Sequence, residues 1–166
     1  MPDPDSPGSP SDDAGEPTPE NKVRIRPIAA ADLAQVIAID AEASGIEKVD
    51  YWYELFHRYG SRGQRQRFFL VAEGKGAIQG FVIGEVRDWE FRLPPCGWVF
   101  GIAVRRDARL GGVGSALLAS IVDCFRRVGV DKVRTLTTRD DNLMLSFFRI
   151  QGMMAAPSIP LELDLG

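Results

Sequence analysis

Two stretches near the middle of the chain carry β-branched and aromatic side chains in the pattern of paired strands. Residues 67–72 and 78–87 are separated by a polar, glycine-containing turn at residues 73–76. Such an arrangement is typical of a β-hairpin. A further strand is predicted over residues 23–28, where apolar and basic side chains alternate as far as Pro27.

Apolar residues at helical spacing predict two helices in the first half of the chain. The first covers residues 30–43, and its apolar face consists of Leu33, Val36, Ile37 and Ala41. A second, short helix is predicted over residues 50–59, whose five aromatic side chains exceed what a small helix needs for packing. These aromatic residues are interpreted either as core and rim residues or as the wall of a binding pocket.

An unbroken apolar run at residues 98–104 is long enough for a buried strand and too short for most helices. A basic turn with several glycines follows at residues 105–114. Helical spacing then predicts a helix from about residue 112 to residue 128, with apolar positions at Val113, Ala116, Leu117, Ile121, Cys124 and Val128. The functional interpretation depends on this strand–turn–helix unit.

The turn combines three features that bind phosphate groups. A strand that enters a helix in this way leaves unpaired backbone N–H groups at the positive end of the helix dipole. Gly111, Gly112 and Gly114 allow a close backbone approach that a Cβ would prevent. Positive charge around the turn comes from Arg105, Arg106 and Arg109. We therefore predict a site for a phosphate or pyrophosphate here.

The remaining pattern completes a β, α, α, β, β, β, α, β, α, β order. Residues 132–138 predict a strand, and Thr138 with Asp141 resembles a capping box for a helix over residues 140–151. Residues 161–165 alternate leucine with acidic residues and predict a final strand. An antiparallel front half followed by β-α-β predicts an α/β (α+β) fold with a mixed sheet covered by helices.

Charge is distributed unevenly along the 166 residues. Residues 1–21 are rich in Pro, Asp, Ser and Gly and predict a disordered acidic tail, which leaves residues 22–166 as one folded domain. Removing the six carboxylates of the tail from the formal net charge of −3 leaves the rest at about +3. This balance suits an anionic ligand, but the charge is too scattered to indicate nucleic-acid binding.

Other classes of protein are disfavoured by the sequence. No apolar run approaches the ~20 residues that span a bilayer, and no secretory signal is evident, so no membrane partner is expected. Cys96 and Cys124 lack metal-ligand spacing. They are interpreted as reduced thiols in a cytoplasmic protein without a metal site.

Comparison with known phosphate-binding motifs identifies a family resemblance. The turn lacks the G-K-[ST] of phosphate loops and the G-x-G-x-x-G of dinucleotide-binding folds. Its residues 109–114, RLGGVG, instead resemble the [QR]-x-x-G-x-[GA] signature of the GNAT superfamily of acyl-CoA-dependent N-acyltransferases. The element order is similar to that of this family from about Val23 to the C-terminus.

The resemblance implies a mixed, mostly antiparallel central sheet flanked by helices, with a splayed strand pair for CoA. The pantetheine arm would lie between the strands on either side of the central helix. Backbone groups of Ile102, Ala103 and Val104 would bond the pantetheine as a further strand would. The pyrophosphate would be held by N–H groups of Arg109, Leu110, Gly111, Gly112, Val113, Gly114 and Ser115.

The acid and base of many family members are missing here. Phe100 takes the place of a glutamate in the middle of the strand, and Phe148 takes the place of a tyrosine in the last helix. Family members often have an asparagine near the start of that helix. By count, Asp141 holds that position here, and Asn142 follows it by one residue. The resemblance implies that Asn142 and Phe148 contact the cofactor.

For the general base we expect Glu85, which ends a strand that should neighbour the central strand. Alternatives are Asp88, Glu90, Glu54 and His57. All three tyrosines lie between residues 51 and 59. A tyrosine acid would therefore come from that helix, or water would serve.

By resemblance, the function is transfer of an acetyl group from acetyl-CoA directly to a primary amine, without a covalent acyl-enzyme. The acceptor is a small-molecule amine, a protein lysine or an N-terminal amine. The alternative is an acyl-CoA-binding regulatory module with little or no transferase activity, because the usual acid and base are absent. A homodimer through a sheet edge is a further expectation.

Overall fold

The computed structural model describes residues 23–61, 63 and 65–166, so the predicted disordered tail at residues 1–21 lies outside the described residues. One sheet with the strand order β1-β2-β3-β4-β5 forms its centre. The strands are β1 (Arg24–Pro27), β2 (Arg67–Gly74), β3 (Ala77–Arg87), β4 (Cys96–Val104) and β5 (Val133–Thr135). The first four strands pair antiparallel, and β5 joins β4 in parallel. The predicted mixed, mostly antiparallel sheet is confirmed.

Helices cover both faces of this sheet. They are α1 (Leu33–Ser44), α2 (Val49–Tyr59), α3 (Val113–Arg127) and α4 (Asn142–Ile150). Apolar residues of α1 and α2 are buried on one face, and those of α3 and α4 on the other. The inward side of α2 consists of Trp52, Leu55, Phe56 and Tyr59. Because these positions share one helical face, most of the aromatic residues of α2 belong to the core.

A β-bulge interrupts β4 at Phe100. Ile83 of β3 pairs with Gly101, whereas the next residue, Gly84, pairs with Val99. Phe100 is therefore an extra residue without a partner on β3. Such a bulge bends the strand and increases its twist, and here it lies one residue beyond the last pairing of β4 with β5.

β4 and β5 separate after the bulge. Their last paired residues are Val99 and Thr135, and the Thr135 hydroxyl also donates to the Val99 carbonyl at 2.8 Å. β4 continues to Val104, but among the described residues no strand pairs with this part on the β5 side. The expected splayed strand pair is confirmed.

An ion pair fixes β1 to the turn before α1. The guanidinium of Arg26 contacts both carboxylate oxygens of Asp32, at 2.6 and 2.9 Å. Asp32 is only 5% exposed and also accepts from the Ala29 N–H at 2.7 Å. Hydrogen bonding to Arg26 holds the pKa of the Asp32 carboxyl below its ordinary value.

Three predictions for the C-terminal half of the chain are wrong. β5 ends at Thr135 rather than near residue 138. The cap of α4 is Asp141, whose carboxylate accepts from the Met144 N–H at 3.0 Å, and not Thr138. Residues 161–165 form no strand. A strand requires hydrogen bonds to a neighbouring strand, and none of the described residues pairs with this segment.

Among residues 23–61, 63 and 65–166, no helix is long and apolar enough to span a membrane.

Candidate active site

The start of α3 presents backbone N–H groups that have no acceptor within the helix. The first helical hydrogen bond runs from the Ala116 N–H to the Gly112 carbonyl at 3.0 Å. The N–H groups of Val113, Gly114 and Ser115 precede it. Gly112 caps the helix with a φ of 72°, a left-handed conformation that glycine adopts without strain. Together with the positive end of the helix dipole, these N–H groups suit an anion.

A groove of about 470 Å³ lies against this helix start, between the separated end of β4 and α4. Predicted cofactor residues that line it are Ile102, Ala103, Val104, Arg109, Gly112, Gly114 and Ser115. Three others, Leu110, Gly111 and Val113, line a different cavity of about 480 Å³ on the other side of the turn. The predicted turn residues are thus divided between two faces of the turn.

The free edge of β4 points its hydrogen-bonding groups into the groove. The Arg105 N–H donates to the Gln79 carbonyl of β3 at 2.9 Å. The backbone N–H and C=O groups of successive strand residues point to opposite sides. Those of Ala103 therefore also point toward β3, whereas those of Ile102 and Val104 point into the groove. The Arg109 side chain donates to the Val104 carbonyl at 3.3 Å, which ties the turn to this edge.

α4 closes the opposite side of the groove through Phe147 rather than Phe148. A Cβ at Gly114 would lie 3.2 Å from Cε2 of Phe147, so the absence of a side chain there lets α4 cross close to α3. Phe148 is 6% exposed and packs in the core, and Asn142 is exposed without lining the groove. The lining position near the start of α4 is held by Asp141.

Three arginines, two of them paired with carboxylates, set the charge around the turn. Arg106 lines the groove and pairs with Glu42 of α1 at 3.5 Å. Arg105 pairs with Asp107 at 2.9 Å and lines the other cavity. Arg109 also lines the groove and donates to the Val104 carbonyl, so its positive charge lies beside the start of α3.

The predicted base, Glu85, lies on the α2 face of the sheet. The Tyr59 hydroxyl donates to one oxygen of the Glu85 carboxylate at 2.6 Å, and Arg87 Nε contacts the other at 3.4 Å. Burial, together with this hydrogen bond, raises the pKa of Tyr59 to about 12. The Tyr59 ring also packs against the bulged Phe100, with ring centroids 5.5 Å apart.

The structure places the other candidate bases differently. Asp88, Glu90, Glu54 and His57 are all exposed. The side chain of Glu85 is 24% exposed, and it connects to the bulge of β4 through Tyr59 and Phe100 rather than lining the groove itself. In residues 23–61, 63 and 65–166, no three His, Cys, Asp or Glu side chains converge as metal ligands would.

Sequence reasoning missed two contacts that shape this site. Tyr59 and Glu85 are 26 residues apart, and no local pattern joins them. Whether Phe147 or Phe148 faces the groove depends on how α4 is rotated about its axis. Counting residues back from Gly152 does not determine that rotation. The helical spacing of Tyr59 with Trp52 and Phe56 could have indicated that Tyr59 points toward the sheet, because all three lie on the inward face of α2.

Comparisons with known proteins agree with this architecture. A sequence model described as the acetyltransferase (GNAT) family matches residues 33–153. No curated protein is significantly similar to the chain by sequence.

Solved structures share the fold at low sequence identity. Aminoglycoside N-acetyltransferase AAC(6')-Iy in complex with CoA has 15% identity and a TM-score of 0.75, covering 87% of this chain and 96% of that one. A transcriptional regulator from Bacillus halodurans C-125 has 18% identity and a TM-score of 0.73, covering 87% and 100%. Ard1 from Thermoplasma volcanium has 22% identity and a TM-score of 0.65, covering 81% and 84%.

Proposed function

The chain belongs to the GNAT acetyltransferase family, and on this premise we propose that it is an N-acetyltransferase that moves an acetyl group from acetyl-CoA directly to a primary amine. The observation that carries the proposal is the free edge of β4 beside the unpaired N–H groups of α3. Together they offer strand-like pairing and an anion site along one groove.

The groove fits the chemistry of the donor. Ile102 presents a backbone donor and acceptor, and Val104 a backbone donor, that pair with amides, and pantetheine carries two amides. The N–H groups of Gly114 and Ser115, which line the groove, would take the diphosphate, with Arg109 beside them and the Val113 N–H at the same helix start. A structure with this fold, AAC(6')-Iy, is described as a complex with CoA, which supports the same donor here.

Transfer requires one new bond and one broken bond. The amine nitrogen attacks the thioester carbonyl, the C–N bond forms, and the C–S bond breaks as the thiolate leaves. We assign Glu85 to accept the proton that the amine loses, directly or through one water, and water returns a proton to the thiolate. The protein supplies positioning above all, which can account for a large share of the rate.

Tyr59 is proposed as a positioning residue for this base. With its pKa raised to about 12, its hydroxyl remains protonated at neutral pH and keeps donating to Glu85. The phenol therefore fixes the orientation of the carboxylate beside the bulge of β4. Phe100 and Phe148 can neither donate nor accept a proton, so no proton step is assigned to them.

The acceptor class is proposed from the similar structures. Because AAC(6')-Iy is an aminoglycoside N-acetyltransferase, amino sugars with primary amines are the first acceptors to examine. Lysine-containing peptides, peptide N-termini and polyamines complete the panel. The half-exposed aromatic residues Tyr51 and Tyr53 on the outer side of α2 suit an acceptor with an apolar or sugar face.

The test is a transfer assay with the full chain, acetyl-CoA and this panel of amines. Release of free CoA thiol and the mass of the acetylated amine are measured together. We expect both products to appear with at least one amine and in equal amounts. Tight binding of acetyl-CoA without transfer to any amine would instead favour the regulatory acyl-CoA-binding module.

A further inference from the structure

A row of charged and aromatic side chains crosses the sheet on the face that carries α1 and α2. Four neighbouring strands contribute one residue each, and these residues are partners in the strand pairing: Arg67, Glu85, Trp98 and Arg134. Tyr59, in the last turn of α2, contacts Glu85 from the side of the core. Every residue of the row is exposed or half-buried, so the row is open to a ligand beyond the end of α2.

Arg134 is half-buried in this row without a carboxylate partner. Its guanidinium donates to Sγ of the buried Cys96 at 3.3 Å, and a thiol is a weak acceptor. Within the described ranges Arg134 forms no ion pair, whereas the nearby Arg87 contacts both Glu85 and Glu90. Charged side chains that leave water are ordinarily paired. The guanidinium of Arg134 is therefore available to an anion, and it matches carboxylate and phosphate groups best.

Further guanidinium groups make the surroundings of the row positive. Arg67 is the cross-strand partner of Glu85, and its guanidinium lies 5.3 Å from the centre of the Tyr59 ring. Arg87 contacts Glu85 at 3.4 Å and lies over the ring of Trp98, 4.3 Å from its centre. Together with the arginine on β5, they surround the one carboxylate of the row. A field of this sign attracts anions and disfavours additional ammonium groups.

The row lies next to the point at which the donor groove opens. Trp98 pairs with Arg134 one residue before the last pairing between β4 and β5. Glu85 is two strands away from Arg134, or about 10 Å across the sheet, and both side chains project from the same face. An amine that gives its proton to Glu85 therefore has Arg134 within reach of a second group a few bonds away.

We propose that the acceptor carries an anionic group, a carboxylate or a phosphate, which Arg134 binds while the amine of the same molecule lies at Glu85. This assignment rests on the proposed transferase function and specifies its acceptor class. The guanidinium fork offers two parallel N–H donors to the anion. Arg67 adds to the positive field on the other side of Glu85, and the ring of Trp98 forms the floor between the two ends of the acceptor.

Four small amines with the same two-carbon spacer test this preference. β-Alanine carries a carboxylate, phosphoethanolamine a phosphate, ethanolamine a neutral hydroxyl and ethylenediamine a second amine. With the full chain and acetyl-CoA, kcat/KM for the better anionic amine should exceed that for ethanolamine by about tenfold or more. The better of the two anions identifies the group that Arg134 takes. If ethanolamine or ethylenediamine is acetylated as efficiently as both anionic amines, the proposal is overturned and the transferase function stands.

Replacing Arg134 tests the residue itself. Arg134→Gln is expected to bring the ratio of kcat/KM for the anionic and neutral amines close to one, mainly through KM. Arg127→Gln is the matched control and should keep the ratio of the wild type, because Arg127 also donates to a cysteine sulfur, that of Cys124 at 3.1 Å, but lies exposed at the end of α3. If circular dichroism shows that Arg134→Gln does not fold, Arg134→Lys replaces it and should show a reduced ratio, since an ammonium group lacks the fork. An unchanged ratio in the Arg134 variant overturns the proposal.

A binding measurement separates anion recognition from catalysis. Trp98 is the cross-strand neighbour of Arg134, so tryptophan fluorescence is recorded while phosphoethanolamine, β-alanine or ethanolamine is added in the presence of CoA. A saturable change with an anionic amine, and none with ethanolamine, is expected for the wild type and Arg127→Gln but not for Arg134→Gln. If no amine is acetylated, the proposed function fails and this titration still decides the anion site. No change in the wild type, or the same change in both variants, overturns the proposal.

Discussion

The hydroxyl of Tyr59 lies 2.6 Å from Oε2 of Glu85 and joins the last turn of α2 to β3. The same tyrosine ring packs edge-on against Phe100, the bulged residue at which β4 leaves β5. A carboxylate, a phenol and the bulge are thus linked by direct contacts. Glu85 is therefore the group that we propose as the proton acceptor, a role that Phe100 cannot fill.

Replacing Glu85 with glutamine removes the proposed proton acceptor. We expect kcat to fall about 100-fold, the usual size of a general-base contribution, with the Kd for acetyl-CoA unchanged. Steady-state kinetics with the best acceptor provides the measurement. Glu90→Gln is the matched control, since Glu90 also contacts Arg87, at 3.8 Å, but is exposed. Equal kcat values for the two variants would remove Glu85 from the mechanism.

Removing the Tyr59 hydroxyl should act through Glu85 alone. Tyr59→Phe is expected to lower kcat about tenfold and to have little further effect when Glu85 is already glutamine. A double-mutant cycle on kcat measures this coupling. Additive losses would mean that the phenol acts independently of the carboxylate.

The contact between Tyr59 and Glu85 should be visible in the ultraviolet titration of the tyrosines. Tyr51 and Tyr53 are exposed, whereas the pKa of Tyr59 is raised to about 12 by burial and by its bond to Glu85. Ultraviolet titration should therefore resolve one late phenol near pH 12, and Glu85→Gln should shift it to lower pH. A Tyr59 titration that Glu85→Gln leaves unchanged, with the fold intact by circular dichroism, would contradict the contact.

The cradle at the start of α3 is tested by a charge placed in it. Gly112→Glu is expected to weaken acetyl-CoA binding about 100-fold, or about 2.7 kcal/mol, because a carboxylate would repel the diphosphate. Gly129→Glu is the matched control, since its φ of 87° is also left-handed and its Cβ also meets open space, but it follows α3. Equal losses of affinity in the two variants would indicate backbone strain rather than a phosphate site.

The Asp32–Arg26 pair predicts how stability depends on pH. Asp32→Asn leaves Arg26 without its buried partner and should lower the free energy of unfolding by about 3 kcal/mol at pH 7. The pKa of Asp32 is lowered in the folded state, so its contribution is present above the ordinary carboxyl pKa and disappears as pH falls through the folded value.

Urea unfolding at several pH values measures this difference. The gap between wild type and Asp32→Asn should be largest near pH 7 and should narrow below about pH 4. Glu73→Gln removes the other, exposed partner of Arg26 and should cause a much smaller loss. A gap that is constant with pH would show that the charge of Asp32 is not involved.

Much of the fold was predictable because its signals are local. The strand, the RLGGVG turn and the helix after it are encoded by neighbouring residues, so their order and the position of the turn followed from spacing alone. The β-bulge at Phe100 and the Tyr59–Glu85 contact depend on register and on packing between distant elements, which the sequence does not display. The strand expected at residues 161–165 failed for a related reason, because a strand pattern does not contain its partner.

Isothermal titration of acetyl-CoA into the full chain tests the central claim most directly. If the free edge of β4 and the start of α3 form the donor site, one acetyl-CoA should bind per chain with a Kd in the micromolar range. Gly112→Glu should abolish most of that heat while Gly129→Glu retains it. Absence of binding at acetyl-CoA concentrations of hundreds of micromolar, or equal binding by both variants, would contradict the proposed site.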